Sequence, residues 1–215
     1  NSKATAFERA QKNSIPARHL APSHFPSEQE YTQNLLAVLQ EHRVELIVLA
    51  GYMKRLPAEI VRAFRHRIVN IHPGLLPSFG GPGMYGSHVH EAVIAYGAKI
   101  SGVTVHFVDE EYDHGPIILQ KCVPVLDDDT PDTLADRVQA AEREIYPQAL
   151  QLIAEGKGPQ HLRNLVQIDE RALLDQQDKA VDSGLRRAKG GILFIPHIHR
   201  FFGGQLKAEF FKAAP

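Results

Sequence analysis

Cysteine is nearly absent from this 215-residue chain. The single thiol, Cys122, excludes an internal disulfide and suits a reducing compartment, so we expect the cytoplasm. It sits in an apolar run and is expected to be a small core residue. Neither sign of charge is in excess, with 24 Lys and Arg against 25 Asp and Glu. That removes any general electrostatic case for nucleic acid or an anionic membrane. No run approaches the roughly 18 apolar residues of a spanning helix, and no signal peptide is visible. Internal repeats and low-complexity tracts are lacking too. What remains is ordinary for a globular chain, 43% hydrophobic and 23% charged residues. The length suits one domain with a sizeable core and an appendage. Histidine is abundant, with 12 residues, so imidazole chemistry and metal binding both have to be weighed.

The pattern predicts a short helix over 3–12 and a short strand near 19–21. Ser27 precedes Glu30 at capping-box spacing, and Tyr31, Leu35, Val38 and Leu39 share one helical face, which predicts a helix over 28–43. The apolar run 45–50 reads as a buried parallel strand. Pro57 opens a helix to about His66 as its first-turn proline. A strand follows in Ile68-Val69-Asn70-Ile71. The alternation of helix and strand is that of a doubly wound α/β fold with a mostly parallel sheet. Beyond it come a glycine-rich loop over 78–86, a helix over 87–97 and strands over 103–108 and 116–125. Last is a helix that Thr130 caps, Pro131 opens, Pro147 kinks and Gly156 ends.

Three features bear on chemistry. Asn70 and His72 lie two apart at a strand end, so they point to one side. There the chain must turn at Pro73-Gly74, where open α/β sheets put their ligands. Such a pair also serves merely to cap backbone groups; the following Gly74-Leu75-Leu76-Pro77 aims a rigid loop away from the sheet. The acidic turn 109–115 joins two apolar strands, and Asp113 within it can reach the same sheet edge. His88 and His90, with His106 and His114, raise the question of a metal. On a helix His88 and His90 do not share a face, no Cys or carboxylate cluster stands at ligand spacing, and we expect no metal. Asn, His and Asp converging on one pocket make an acyl-transfer kit. The amide and imidazolium donate to an oxyanion, and the carboxylate orients the imidazole or relays a proton. No Ser or Cys nucleophile stands beside a base, which favours direct attack by an amine substrate.

Those residues lie within longer blocks. They include Val48-Leu49-Ala50-Gly51-Tyr52-Met53-Lys54-Arg55-Leu56 and Val69-Asn70-Ile71-His72-Pro73-Gly74-Leu75-Leu76-Pro77. Others are His88-Val89-His90-Glu91-Ala92, Gly102-Val103-Thr104-Val105-His106-Phe107-Val108-Asp109-Glu110 and Tyr112-Asp113-His114-Gly115-Pro116. In this order, over roughly residues 1–160, the chain resembles the phosphoribosylglycinamide formyltransferase family, the folate-dependent transformylases of purine synthesis. The resemblance implies a Rossmann-like formyltransferase fold. It implies transfer of a formyl group from 10-formyltetrahydrofolate, as co-substrate, to the amine of glycinamide ribonucleotide. Asn70, His72 and Asp113 match its catalytic trio. Tyr52, Met53, Lys54, Arg55 and Leu56 match the folate wall, with Ile68 and the turn of Val108, Asp109, Glu110, Glu111 and Tyr112. Glu142 and His88 match substrate-binding positions, Glu142 at the sugar.

Two departures shape the expectations. The family opens with an apolar strand and a turn of Gly and Ser or Asn that holds the substrate phosphate. The chain starts at Asn1 without methionine, with residues that read like the middle of a domain. We expect a fragment whose first strands and phosphate turn are missing, with little transferase turnover. A tail after about 168 has no match in the family. The expected layout is therefore a catalytic domain over 1–168 and an extension over 169–215. That extension carries the apolar run 191–195, His197, His199 and a basic tail including Arg186, Arg187 and Arg200. Alternatives are a formyltetrahydrofolate deformylase, which sends water to the formyl group, or an inactive folate-binding remnant. The oligomeric state and the role of the tail are not legible.

Overall fold

A computed structural model describes residues 5–156 and the backbone of 191–196. The tail residues His197, His199, Arg186, Arg187 and Arg200 lie outside the described residues, as does the boundary at 168. Chain order runs α1 (Thr5–Lys12), a 3₁₀ turn (Pro22–His24), α2 (Glu28–Glu41), β1 (Val44–Ala50), α3 (Ala58–Ala63) and β2 (Ile68–His72). Next come α4 (Ser87–Tyr96), β3 (Ile100–Phe107), β4 (Ile117–Pro124), α5 (Pro131–Ala154) and β5 (Gly191–Pro196). Among the described residues no helix is long and apolar enough to cross a membrane.

The helix signals act as their chemistry dictates. Ser27 Oγ accepts from Glu30 N at 3.2 Å and starts α2. Thr130 and Thr133 exchange side-chain and backbone bonds in a capping box that starts α5, and α5 continues through Pro147 as one helix. Pro57 is the cap of α3 rather than its first residue. That helix stops at Ala63, short of His66, because Arg67 N turns back to Phe64 O at 2.8 Å. The expected strand near 19–21 is an irregular stretch leading into the 3₁₀ turn.

The sheet order is β4-β3-β2-β1-β5. The expectation of a mostly parallel sheet needs correction. β1 and β2 are parallel, with Val48 beside Val69, whereas β2–β3, β3–β4 and β1–β5 are antiparallel. β3 and β4 are consecutive strands joined by a short turn, which forces antiparallel pairing. Cys122, expected in the core, is exposed; β4 is the last strand in the order, and its Val123 points inward instead.

Alternation along β1 feeds two cores. Leu46 and Val48 join Val69, Val93, Val105, Leu134 and Val138 beneath α4 and α5. Ile47 and Leu49 join Leu35, Leu39, Ile60 and Ile68 beneath α2 and α3. Each fully buried aliphatic side chain contributes about 1.5–3 kcal/mol. Tyr146 of α5 crosses to the sheet, donating to Leu49 O at 2.7 Å and Val69 O at 3.2 Å. The helix that carries Glu142 is thereby fixed against the two parallel strands.

Candidate functional site

Sheet register assembles the site. Asn70 of β2 lies directly opposite His106 of β3, and His72 opposite Thr104. Directly opposed residues share a face, so all of these side chains project the same way. Asn70 Nδ2 stands 3.2 Å from His106 Nε2. His106 Nδ1 donates to Phe107 O at 2.9 Å, which leaves Nε2 to accept from the Asn70 amide. His72 Nε2 donates to Phe79 O at 2.9 Å, so Nδ1 is the ring atom free to face the carboxylate of Asp113.

Asp113 comes from the turn between β3 and β4. Its Oδ2 is 3.5 Å from His72 Nδ1 and its Oδ1 is 3.7 Å from His106 Nε2. Gly81 N of the glycine-rich loop donates to Oδ2 at 2.9 Å. The loop after β2 is itself pinned. Thr104 Oγ1 donates to Gly74 O at 2.7 Å and accepts from Leu76 N at 3.0 Å. Gln120 Nε2 reaches Leu76 O at 2.9 Å.

The imidazoles of His72, His90 and His106 are all 3% exposed or less. Burial lowers the proton affinity of each below the usual histidine value. Asp113 opposes that effect at His72 and His106, whereas His72 adds to it at His90. Glu142, partly buried on α5, is pushed up to about 7 by burial.

A cleft of about 690 Å³ opens over this constellation. Asn70, His72, Asp113 and Glu142 line it. One wall is Tyr52, Met53, Lys54, Arg55 and Leu56; another is Val108, Asp109, Glu110, Glu111 and Tyr112. Met53 is 65% exposed and Tyr112 47%, so the mouth presents apolar surface suited to a flat ring. Arg55 ties the two walls, its Nη2 donating to Glu110 O at 2.7 Å and its guanidinium lying over the Tyr112 ring.

Two of the expected residues stand apart from the cleft. Ile68 is fully buried under α3, outside the lining; its carbonyl accepts from Val108 N at 2.9 Å and anchors the turn. His88 is exposed and stacks on Tyr85, with ring centroids 5.1 Å apart. His90, one half-turn on, lines the cleft instead. The sequence raises His106 only as a metal ligand and does not single out Thr104, although both are polar residues at alternate positions in a valine-rich strand. Among the described residues no group of three or more His, Cys, Asp or Glu is arranged to hold a metal ion.

The model of the family described as formyl transferase matches residues 1–150. A chloroplastic phosphoribosylglycinamide formyltransferase of Vigna unguiculata is 50% identical over 122 residues, which is 57% of this chain and 39% of that protein. The chain thus spans well under half the length of that relative. The phosphoribosylglycinamide formyltransferase of Bacillus subtilis (strain 168) is 37% identical over 147 residues, 68% of this chain and 73% of the relative. The crystal structure of glycinamide ribonucleotide transformylase 1 from Symbiobacterium toebii superposes with a TM-score of 0.67 at 41% identity. That superposition covers 73% of this chain and 72% of that one.

Proposed function

The chain belongs to the formyl transferase family, and from that membership we propose that its cleft transfers a formyl group from 10-formyltetrahydrofolate to the amine of glycinamide ribonucleotide, a step of purine synthesis. The observation that carries this reading is the meeting of Asn70, His72 and Asp113 at the floor of one cleft, with His72 Nδ1 3.5 Å from Asp113 Oδ2.

Attack of the amine nitrogen on the formyl carbon places negative charge on the formyl oxygen. The Asn70 amide donates to that oxygen, its orientation fixed by His106. His72 has committed Nε2–H to Phe79 O, so the hydrogen it offers is the one on Nδ1. Burial disfavours the imidazolium and Asp113 opposes that effect; the ring offers its Nδ1 hydrogen only when protonated beside that carboxylate. Asp113 takes up the proton that the amine loses, through a water, and the same proton returns to the folate nitrogen as the carbon–nitrogen bond breaks. The walls 52–56 and 108–112 take the pterin, and Glu142 takes the sugar hydroxyls. We assign no role to His88. The catalytic domain is taken as 1–168, the extension 169–215 is left without a role, and the lone Cys122 favours the cytoplasm.

The test supplies labelled 10-formyltetrahydrofolate with and without glycinamide ribonucleotide. Acceptor-dependent label in the ribonucleotide, lost in Asp113→Asn, is the expected result. Formate released without acceptor reassigns the cleft to hydrolysis. Folate binding with neither product overturns the transfer.

A further inference from the structure

The reading above requires Asp113 to stay beside His72, yet its backbone does not favour that place. Asp113 has φ +54, the left-handed region that a residue with a Cβ enters at a cost. The turn 108–115 has to maintain it. At the base, Gly115 approaches the opposite arm so closely that a Cβ would stand 1.9 Å from Phe107 O. On the outer side, Arg55 and Arg62 both reach Glu110. Neither contact holds the residues that flank Asp113. Asp109 does. Its Oδ1 accepts from Glu111 N at 2.9 Å, and its Oδ2 accepts from His114 Nδ1 at 2.8 Å. One carboxylate therefore bridges from two residues before Asp113 to the residue immediately after it.

We propose that His114, clasped to Asp109, is a positioning residue that holds Asp113 against His72. This rests on the role given to Asp113 above. His114 is 65% exposed and lies outside the cleft lining, so it acts through the peptide bond it shares with Asp113 and not by touching a reactant. The charged groups facing its ring are Asp109 and Glu111, both on its own turn, and they raise its proton affinity above the usual histidine value. Arg55 and Arg62, from the loop after β1 and from α3, face Glu110 instead. An exposed pair of this kind adds little to global stability; its effect is local, on a backbone that would otherwise relax.

The test compares His114→Ala and His114→Asn with the wild-type chain by two readouts. One is the titration of the His72 ring, followed by nitrogen NMR. The other is formyl transfer, resolved into kcat and KM. His114→Ala should move the His72 midpoint downward, because Asp113 no longer supports the imidazolium. It should lower kcat about fivefold, the worth of one hydrogen bond, with KM for the ribonucleotide unchanged. His114→Asn, whose amide nitrogen can stand where Nδ1 does, should restore both. An unmoved His72 midpoint in a folded His114→Ala protein overturns the proposal, and so does an Asn variant as impaired as the Ala variant. If the wild type transfers no formyl group while the His72 midpoint still moves, the clasp stands and the reading of the cleft falls.

Discussion

Replacing Glu142 with glutamine should stabilise the protein above neutral pH and leave it unchanged in acid. Glu142 lines the cleft from α5, and burial pushes its carboxyl from 4.5 up to about 7, against a smaller opposing pull from Arg143. In the unfolded chain the carboxyl ionises near its ordinary value. As pH rises through that value the unfolded state releases the proton and the folded state keeps it, so the folded state loses stability. The loss levels off near pH 7, where both states are ionised. The gap corresponds to roughly 3.4 kcal/mol at about 1.36 kcal/mol per pH unit. Glu142 is partly exposed and water relaxes around the carboxylate, which leaves roughly half, about 1.7 kcal/mol. Urea unfolding at pH 4 and pH 8 measures it, with the slope against denaturant unchanged. Glu142→Gln should nearly match the wild type at pH 4 and exceed it by about that amount at pH 8. A difference that does not vary with pH, or one of opposite sign, refutes the reasoning. The same proton bears on binding. In the proposed reading sugar hydroxyls donate to the ionised carboxylate, so affinity for the ribonucleotide should rise with pH as Glu142 ionises in the wild type and stay flat in the variant.

Asp113→Asn removes the group to which we assign support of the imidazolium and uptake of the amine proton; kcat for formyl transfer should fall by about 10²–10⁴ with little change in KM. Thr104→Val keeps the shape but strands Leu76 N and the Gly74 carbonyl behind the loop after β2. Thermal unfolding should register a loss of about 1–3 kcal/mol. Gly102→Ala should cost about 2–3 kcal/mol in the same assay, because its Cβ would stand 2.2 Å from Lys121 O and 2.7 Å from Leu75 Cδ2.

Local signals survived folding wherever the chemistry was local. Ser27 and Thr130 cap the helices they precede, and the continuous apolar run of β1 and the alternation of β3 mark buried strands. Asn70 and His72 were legible because a period of two fixes their side without reference to any partner. His106 was not, since its role depends on lying opposite Asn70, a register that no spacing along one strand encodes. The sheet's direction failed for a similar reason. A helix–strand alternation up to β2 suggests parallel pairing, but the short turn 108–115 carries β3 back against β4. The helix start at residue 87 was legible, and α4 from Ser87 turns His90 inward and His88 to solvent; His88 comes from the family resemblance, which carries no helix phase.

Which of the buried rings best accommodates a second proton follows from what each ring faces. All three buried imidazoles are held below the usual histidine value by the same desolvation. His90 Nδ1 has no hydrogen-bond partner among the described residues, so a second proton there would be buried without an acceptor. His106 gives one hydrogen to Phe107 O and meets an amide donor at the other nitrogen; protonating it would set two donors against each other. His72 faces acceptors at both nitrogens, the Phe79 carbonyl and the Asp113 carboxylate, whereas at His106 Nε2 the Asp113 carboxylate, 3.7 Å away, shares the position with the Asn70 amide. Asp113 therefore favours a second proton on His72 more directly than on His106, against the burial that lowers the proton affinity of both. In the proposed reaction His106 holds the Asn70 amide through their 3.2 Å contact.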